Sequence, residues 1–228
     1  MSETTTNART HPPLYSSGGS IDRDRLEFFH VIERLKTQKR TGWVHNGIPS
    51  PESVAEHMYR MAMLAMCCTD ESLDVSRCVM MALVHDLAEA QVGDIAPHEG
   101  IPKVEKQRLE AEAMHNFMHE MLHDNPVAKR IEALWKEYED GNTPEAKFVK
   151  GACVCAAHHF SISETISSDL DRLEMALQAS EYERRYNTDL QPFYDSSIPH
   201  IRHPDVQCWG RELEIEREEC NRNRSGGA

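Results

Sequence analysis

Three apolar stretches of this chain carry titratable side chains where a helical core admits none without a partner. VAEHMYRMAML sets His57 among Val54, Met58 and Met61. VMMALVHDLAEAQVGD sets His85, Asp86 and Glu89 within a turn and a half, and DLDRLEMAL supplies Asp169 and Asp171. An ionised group taken from water into an apolar interior is costly unless it is paired or bound to a metal. Two neutral imidazoles and two carboxylates form a mixed nitrogen and oxygen set that suits a divalent transition ion. Consecutive residues diverge by about 100° on an α-helix. His85 and Asp86 therefore reach one ion only if it lies between their helix and its neighbours, which would supply His57 and a distal aspartate. Taken one at a time, each group reads equally well as a hydrogen-bonded core histidine or a structural acid. Their recurrence in three stretches favours the metal.

The rest of the pattern is helical. Leu26, Phe29, Ile32 and Leu35 recur at helical spacing. Ser50-Pro51-Glu52 reads as a helix start, followed by the stripe Val54, Met58, Met61, Ala65 and Cys68. A helix opened by Asp74 or Ser76 is expected to close at Gly93, and one long amphipathic helix is expected over residues 103–123. Asn125-Pro126 and Thr143-Pro144-Glu145 are further starts. No alternating pattern of strand length appears, so the expected fold is an all-α bundle in one domain, residues 20–220. Residues 1–19, rich in Thr, Ser, Pro and Gly, and residues 221–228 read as disordered tails.

Charge narrows the partners. With 25 Lys and Arg against 38 Asp and Glu, the net charge of −13 repels polyanions. A nucleic-acid polymer and an anionic membrane are thus excluded as partners, whereas a small phosphate ester is not, because a bound metal inverts the local field. The seven cysteines are scattered, and no secretory apolar core or bilayer-length run is found. Reduced thiols in the cytoplasm are expected, with nucleus and mitochondrion left open.

His57, His85-Asp86 and a distal aspartate make the H…HD…D pattern of the HD-domain metal-dependent phosphohydrolases, and the chain resembles that family. RTGWV, PESVAEHMYRMAML, ALVHDLAEAQVGDIAP, EAKFV and DLDRLEMALQASEYE are similar to its 5'-deoxynucleotidase branch over roughly residues 22–220. The resemblance implies a bundle of six to eight helices and a homodimer. It implies a divalent ion (Mn, Co or Mg, with Zn also compatible) on His57, His85, Asp86 and Asp171. Asp171 is taken because it precedes Arg172-Leu173-Glu174-Met175 as the family's metal aspartate precedes its xxEM, with Asp169 as the alternative. The substrate implied is a deoxyribonucleoside 5'-monophosphate. Glu89, on the same helical face as Asp86, falls where the family has an essential acid and would act on the attacking water. Asp94 is a candidate for the sugar or the leaving oxygen, or else a turn aspartate. Arg40 is the candidate phosphate cation and Trp43 the candidate sugar platform; a solvated Arg and a core Trp are the alternatives.

Residues 151–168, GACVCAAHHFSISETISS, depart from the family, whose KFVK runs directly into xLDxxEM. Eighteen residues are about five α-helical turns and, as continuous helix, would carry Asp171 about 27 Å along the axis. A looped-out bulge is favoured over continuation. Cys153, Cys155, His158 and His159 imitate a zinc cluster there, but their spacing matches none of the common frameworks, and no second site is expected from them. The rival functions are another HD hydrolase, for a cyclic nucleotide or a triphosphate, and a catalytically silent module for dimerisation or sensing.

Overall fold

Ser53 sets the start of the helix that carries His57. Its hydroxyl accepts from Glu56 N at 3.2 Å, while the Glu56 carboxylate accepts from Ser53 N at 2.6 Å. This reciprocal cap satisfies two of the N–H groups that a helix start leaves unpaired. The expected start at Ser50-Pro51 is too early. Arg40 N donates to Glu52 O and Val54 N to Gln38 O, each at 3.0 Å, which keeps the backbone before Ser53 extended. Asp74, Asn125 and Thr143 cap their helices as their positions suggest.

The computed structural model describes residues 11–150 and 169–225. Along them run α1 (Ile21–Thr37), α2 (Thr41–His45), α3 (Val54–Met66), α4 (Val75–Ala82), α5 (Glu89–Val92), α6 (Lys103–Asn116), α7 (Pro126–Asp140), α8 (Pro144–Val149), α9 (Leu170–Tyr186), α10 (Gln191–Ser197) and α11 (Pro204–Ser225). The architecture is all-α, as expected. The long members α1, α3, α6, α7, α9 and α11 are linked by short helical pieces. α3 is the central element: it packs along α4 and also touches α1 and α9. Three apolar clusters surround it. One joins Phe28, Val31 and Leu35 to Phe117, Met118 and Met121. A second joins Met61 and Ala65 to Met81, Phe148 and Leu173, and the third joins Trp43 to Tyr182, Phe193 and Tyr194. Burying one such Met or Phe contributes about 1.5–3 kcal/mol.

Four expectations need correction. The helix expected up to Gly93 stops at Ala82, and residues 83–88 run in tighter turns. There Val84 N bonds Met81 O, Leu87 N bonds Val84 O and Glu89 N bonds Asp86 O. These i→i−3 bonds rotate successive side chains further apart than an α-helix does. The helix expected over 103–123 widens after Asn116, where Leu122 N reaches back to Phe117 O, and it ends with His123 and Asp124 at positive φ. Residues 11–19 are not a free tail: the Tyr15 and Ser17 hydroxyls each donate to Asp24 at 2.6 Å, and Tyr15 N donates to Asn116 at 3.1 Å. At the other end α11 continues to Ser225, so residues 221–225 are helical rather than frayed. Residues 1–10 and the segment with Cys153, Cys155, His158 and His159 lie outside the described residues.

Candidate metal centre

His57 projects from the middle of α3, and its ring is fixed from behind. Nδ1 lies 2.7 Å from Glu174 on α9. A carboxylate accepts, so Nδ1 carries the proton and Nε2 presents a lone pair. His85 is set the same way: its Nδ1 lies 2.9 Å from Ala82 O, which only accepts, leaving Nε2 to face inward. Asp86, in the tight turns at 83–88, has Oδ2 3.0 Å from His85 Nε2 and 3.8 Å from His57 Nε2. One ligand atom each from His57, His85 and Asp86 lies within 4.8 Å of the others.

Asp171, in the first turn of α9, joins them, with Oδ1 3.5 Å from His57 Nε2. Asp169 does not. Its carboxylate accepts the N–H of Arg202 at 2.6 Å and of His203 at 2.8 Å, which fastens the start of α9 to the chain ahead of α11. The geometry therefore separates the two aspartates: Asp171 faces the histidines and Asp169 is structural.

The buried polar atoms make the test of fit. His57 Nε2, Asp86 Oδ2 and Glu89 Oε2 are all shielded from solvent and make no well-formed hydrogen bond. Such orphans are rare and costly in a folded protein. Two imidazole lone pairs and a carboxylate oxygen aimed at one point suit a divalent cation. Burial and then the Arg40 guanidinium push the His57 imidazole down to about 4, so it is neutral and free to ligate near neutral pH. Burial opposes charge on His85, but the Asp86 carboxylate outweighs it and raises that imidazole. Burial also opposes the Asp86 carboxylate, yet His85 and Arg40 keep it well below the usual range.

Arg40 lines this cluster, Nη1 3.6 Å from Asp86 and Nη2 3.7 Å from Asp171. Burial disfavours its charge, but Asp94, Asp171 and Asp86 hold it protonated. Glu89 is no surface acid: it is buried, and burial followed by the charges of Asp86 and Asp94 pushes its carboxyl well up. Asp94 accepts the N–H of Thr41 at 2.6 Å through its side chain and the Thr41 hydroxyl at 2.7 Å through its carbonyl. It fastens α2 beneath Arg40.

Trp43 is the clear miss. Its indole is 3 % exposed, meets Tyr182 edge-on and Phe193 at a tilt, and its Nε1 donates to Glu52 at 2.9 Å. No face is left for a sugar. The sequence reading also overlooked the carboxylates behind His57. Glu174 is fully buried and binds Arg60 through Nε at 2.9 Å and Nη2 at 2.7 Å, and Glu52 lies beside it. Burial and then Glu174 raise the Glu52 carboxyl to about 7. A signal was present: Glu174 sits three residues after Asp171, on the same face, inside an apolar run.

Comparison with known proteins places this geometry. The sequence matches the HD domain family over residues 32–207. It is 42 % identical over 218 residues to the Bos taurus 5'-deoxynucleotidase HDDC2, covering 95 % of each chain. It is 43 % identical over 198 residues to the Schizosaccharomyces pombe 5'-deoxynucleotidase hdd1, covering 85 % of this chain and 90 % of that one. The fold superimposes on the PH0347 protein of Pyrococcus horikoshii OT3 with a TM-score of 0.60 at 26 % identity, over 84 % of this chain and 97 % of that one. Paired histidines and aspartates on a shared all-α scaffold, matched across most of the sequence, mark the chain as a member of the HD-domain family.

Proposed function

We propose that the protein is a metal-dependent 5'-deoxynucleotidase that hydrolyses deoxyribonucleoside 5'-monophosphates to deoxynucleoside and phosphate. The observation that carries this reading is the trio of buried atoms without a well-formed hydrogen bond, on His57, Asp86 and Glu89, beside the Arg40 guanidinium. His57, His85, Asp86 and Asp171 would hold the ion, and the mixed donor set favours Mn or Co, with Mg the harder alternative. A divalent ion bound there supplies Lewis-acid chemistry, polarising the phosphoryl group and acidifying water. Arg40 binds the phosphate dianion through its fork, and Asp94 holds that guanidinium in place. Glu89 orients the attacking water and accepts its proton. Glu174, by bonding His57 Nδ1, keeps Nε2 directed at the cluster.

Among the described residues Arg40 is the guanidinium in ion-pair reach of Asp86 and Asp171, which suits one phosphate better than three. The silent-module reading rests on a displaced Asp171, and 3.5 Å from His57 removes that motive. The homodimer implied by the resemblance has a surface to match. Tyr59, 63 % exposed, Met63 and Met66 form one face of α3, and exposed Met80 and Leu83 lie on the adjoining α4 segment. Exposed apolar side chains on two packed helices support association through this face. No helix among the described residues is long and apolar enough to cross a membrane.

The test is phosphate release from dAMP and AMP by purified protein with Mn²⁺ or Co²⁺. Preference for dAMP is expected, and Glu89→Gln should lower kcat by about 10²–10⁴-fold. Equal turnover of AMP would refute the sugar preference. No release of phosphate from either would refute the activity.

A further inference from the structure

A second group of metal-ligating side chains lies at the far end of α3. Cys68 just beyond that helix, His203 immediately before α11, and Asp205 in the first turn of α11 each offer a ligand atom within 4.8 Å of the others. The cluster is built rather than incidental. The His203 backbone N–H donates to Asp169 at 2.8 Å, its ring packs on Phe148 with centroids 4.8 Å apart, and its Nε2 lies 3.1 Å from Asp70 Oδ2. Nδ1 of the same ring is buried and makes no hydrogen bond. Asp205 Oδ2 accepts from Thr69 N at 3.0 Å and from Thr69 Oγ at 2.9 Å, with Cys68 Sγ at 3.9 Å.

We propose that Cys68, His203 and Asp205 form a structural site for a thiophilic divalent cation, zinc above all. An imidazole held at one nitrogen by a carboxylate and left bare at the other is the arrangement that metal-ligating histidines adopt. A thiol beside it selects zinc over the hard cations. In a tetrahedral site with bonds of about 2.0–2.3 Å, ligand atoms lie about 3.3–3.8 Å apart, so the trio closes by roughly 1 Å. As the sulfur–zinc bond forms, the thiol proton leaves to solvent, and water takes the fourth position. The site uses none of the residues of the first centre, and Cys68 lies roughly 16 Å beyond His57 along the helix direction. Its role is mechanical: it joins the end of α3 to the start of α11 and to the residues that Asp169 grips.

Cobalt titration of the chelator-stripped full chain tests this, read by thiolate-to-cobalt charge-transfer absorption, which a centre of histidines and carboxylates cannot produce. The wild type should show the band and take up about two equivalents. Cys68→Ser and His203→Ala should each lose the band and about one equivalent while keeping their helical circular dichroism. Cys67→Ser and the double variant Cys153→Ser/Cys155→Ser should keep it. Asp86→Asn should lose the other equivalent and keep the band, so failure of the first centre is distinguishable from failure of this one. A wild type without the band, a band that survives Cys68→Ser, or one that vanishes with Cys153 and Cys155 would overturn the proposal. A reading that needs no variant is alkylation of the wild-type protein: zinc should slow labelling of Cys68 and leave exposed Cys208 unchanged, and equal labelling of Cys68 would equally refute it.

Discussion

Asp24 and Asp86 are both shielded aspartates, and they are treated in opposite ways. Asp24 receives three donors, the hydroxyls of Tyr15 and Ser17 at 2.6 Å and His123 Nε2 at 2.8 Å. The Ser17 and Tyr15 hydrogen bonds hold its carboxyl at about 2. Asp86 is surrounded by charge, His85, His57 and Arg40 at 3.0 to 3.8 Å, yet its inward oxygen makes no well-formed hydrogen bond. Asp24 is thus given donors, whereas Asp86 is given a field of charge and left short of hydrogen bonds. The local cost at Asp86 is the structural mark of function.

The sharpest way to break this contrast is to neutralise each in turn. Asp86→Asn should abolish metal uptake and phosphate release, because the cluster loses its anionic ligand. Asp24→Asn should do the reverse, lowering Tm while leaving kcat unchanged. Loss of activity from both would mean that the contrast is empty. Trp43, with its N–H satisfied, belongs with Asp24. Trp43→Ala should destabilise by about 3–5 kcal/mol in chemical denaturation and leave the dAMP to AMP preference of the folded fraction intact. A change in that preference with little loss of stability would return Trp43 to the substrate.

Smaller effects sharpen the picture. Glu174→Gln should weaken metal binding by about 10–100-fold, measured by calorimetry, because the second ring nitrogen of His57 loses its anionic partner. The smallest effect is in acid. Asp24 ionises at about 2 when folded, against an ordinary aspartate value of 3.8. A lowered folded value stabilises the fold fully above the unfolded value and is lost as pH falls through the folded one. The Tm gap between wild type and Asp24→Asn should therefore hold above about pH 4 and close toward pH 2. A gap that persists at the acid end would show that the three donors do not act through ionisation.

Much of this was legible in the sequence because it is local. His57, His85, Asp86 and Asp171 stand out as polar groups in apolar helices, and the caps at Asp74, Asn125 and Thr143 read directly. What escaped depends on distance along the chain or on tertiary context. The His57–Glu174 bond spans 117 residues, and no spacing rule announces it. The tight turns at 83–88 lie in an unbroken apolar pattern with no Gly or Pro to mark them. Tyr15 and Ser17 belong to a segment too poor in apolar residues to signal packing, and their hold comes from hydrogen bonds to Asp24. Trp43 misled because an indole fits a core and a ligand platform equally well.

Asp169 and Lys150 carry one more implication. Lys150 Nζ grips Glu139 O at 2.5 Å, and Asp169 grips two consecutive amides of a distant loop. The chain is thus moored on both sides of residues 151–168, and the second mooring lies two positions before Asp171. With Asp169 held this way, the start of α9 and the position of Asp171 are set by the loop ahead of α11.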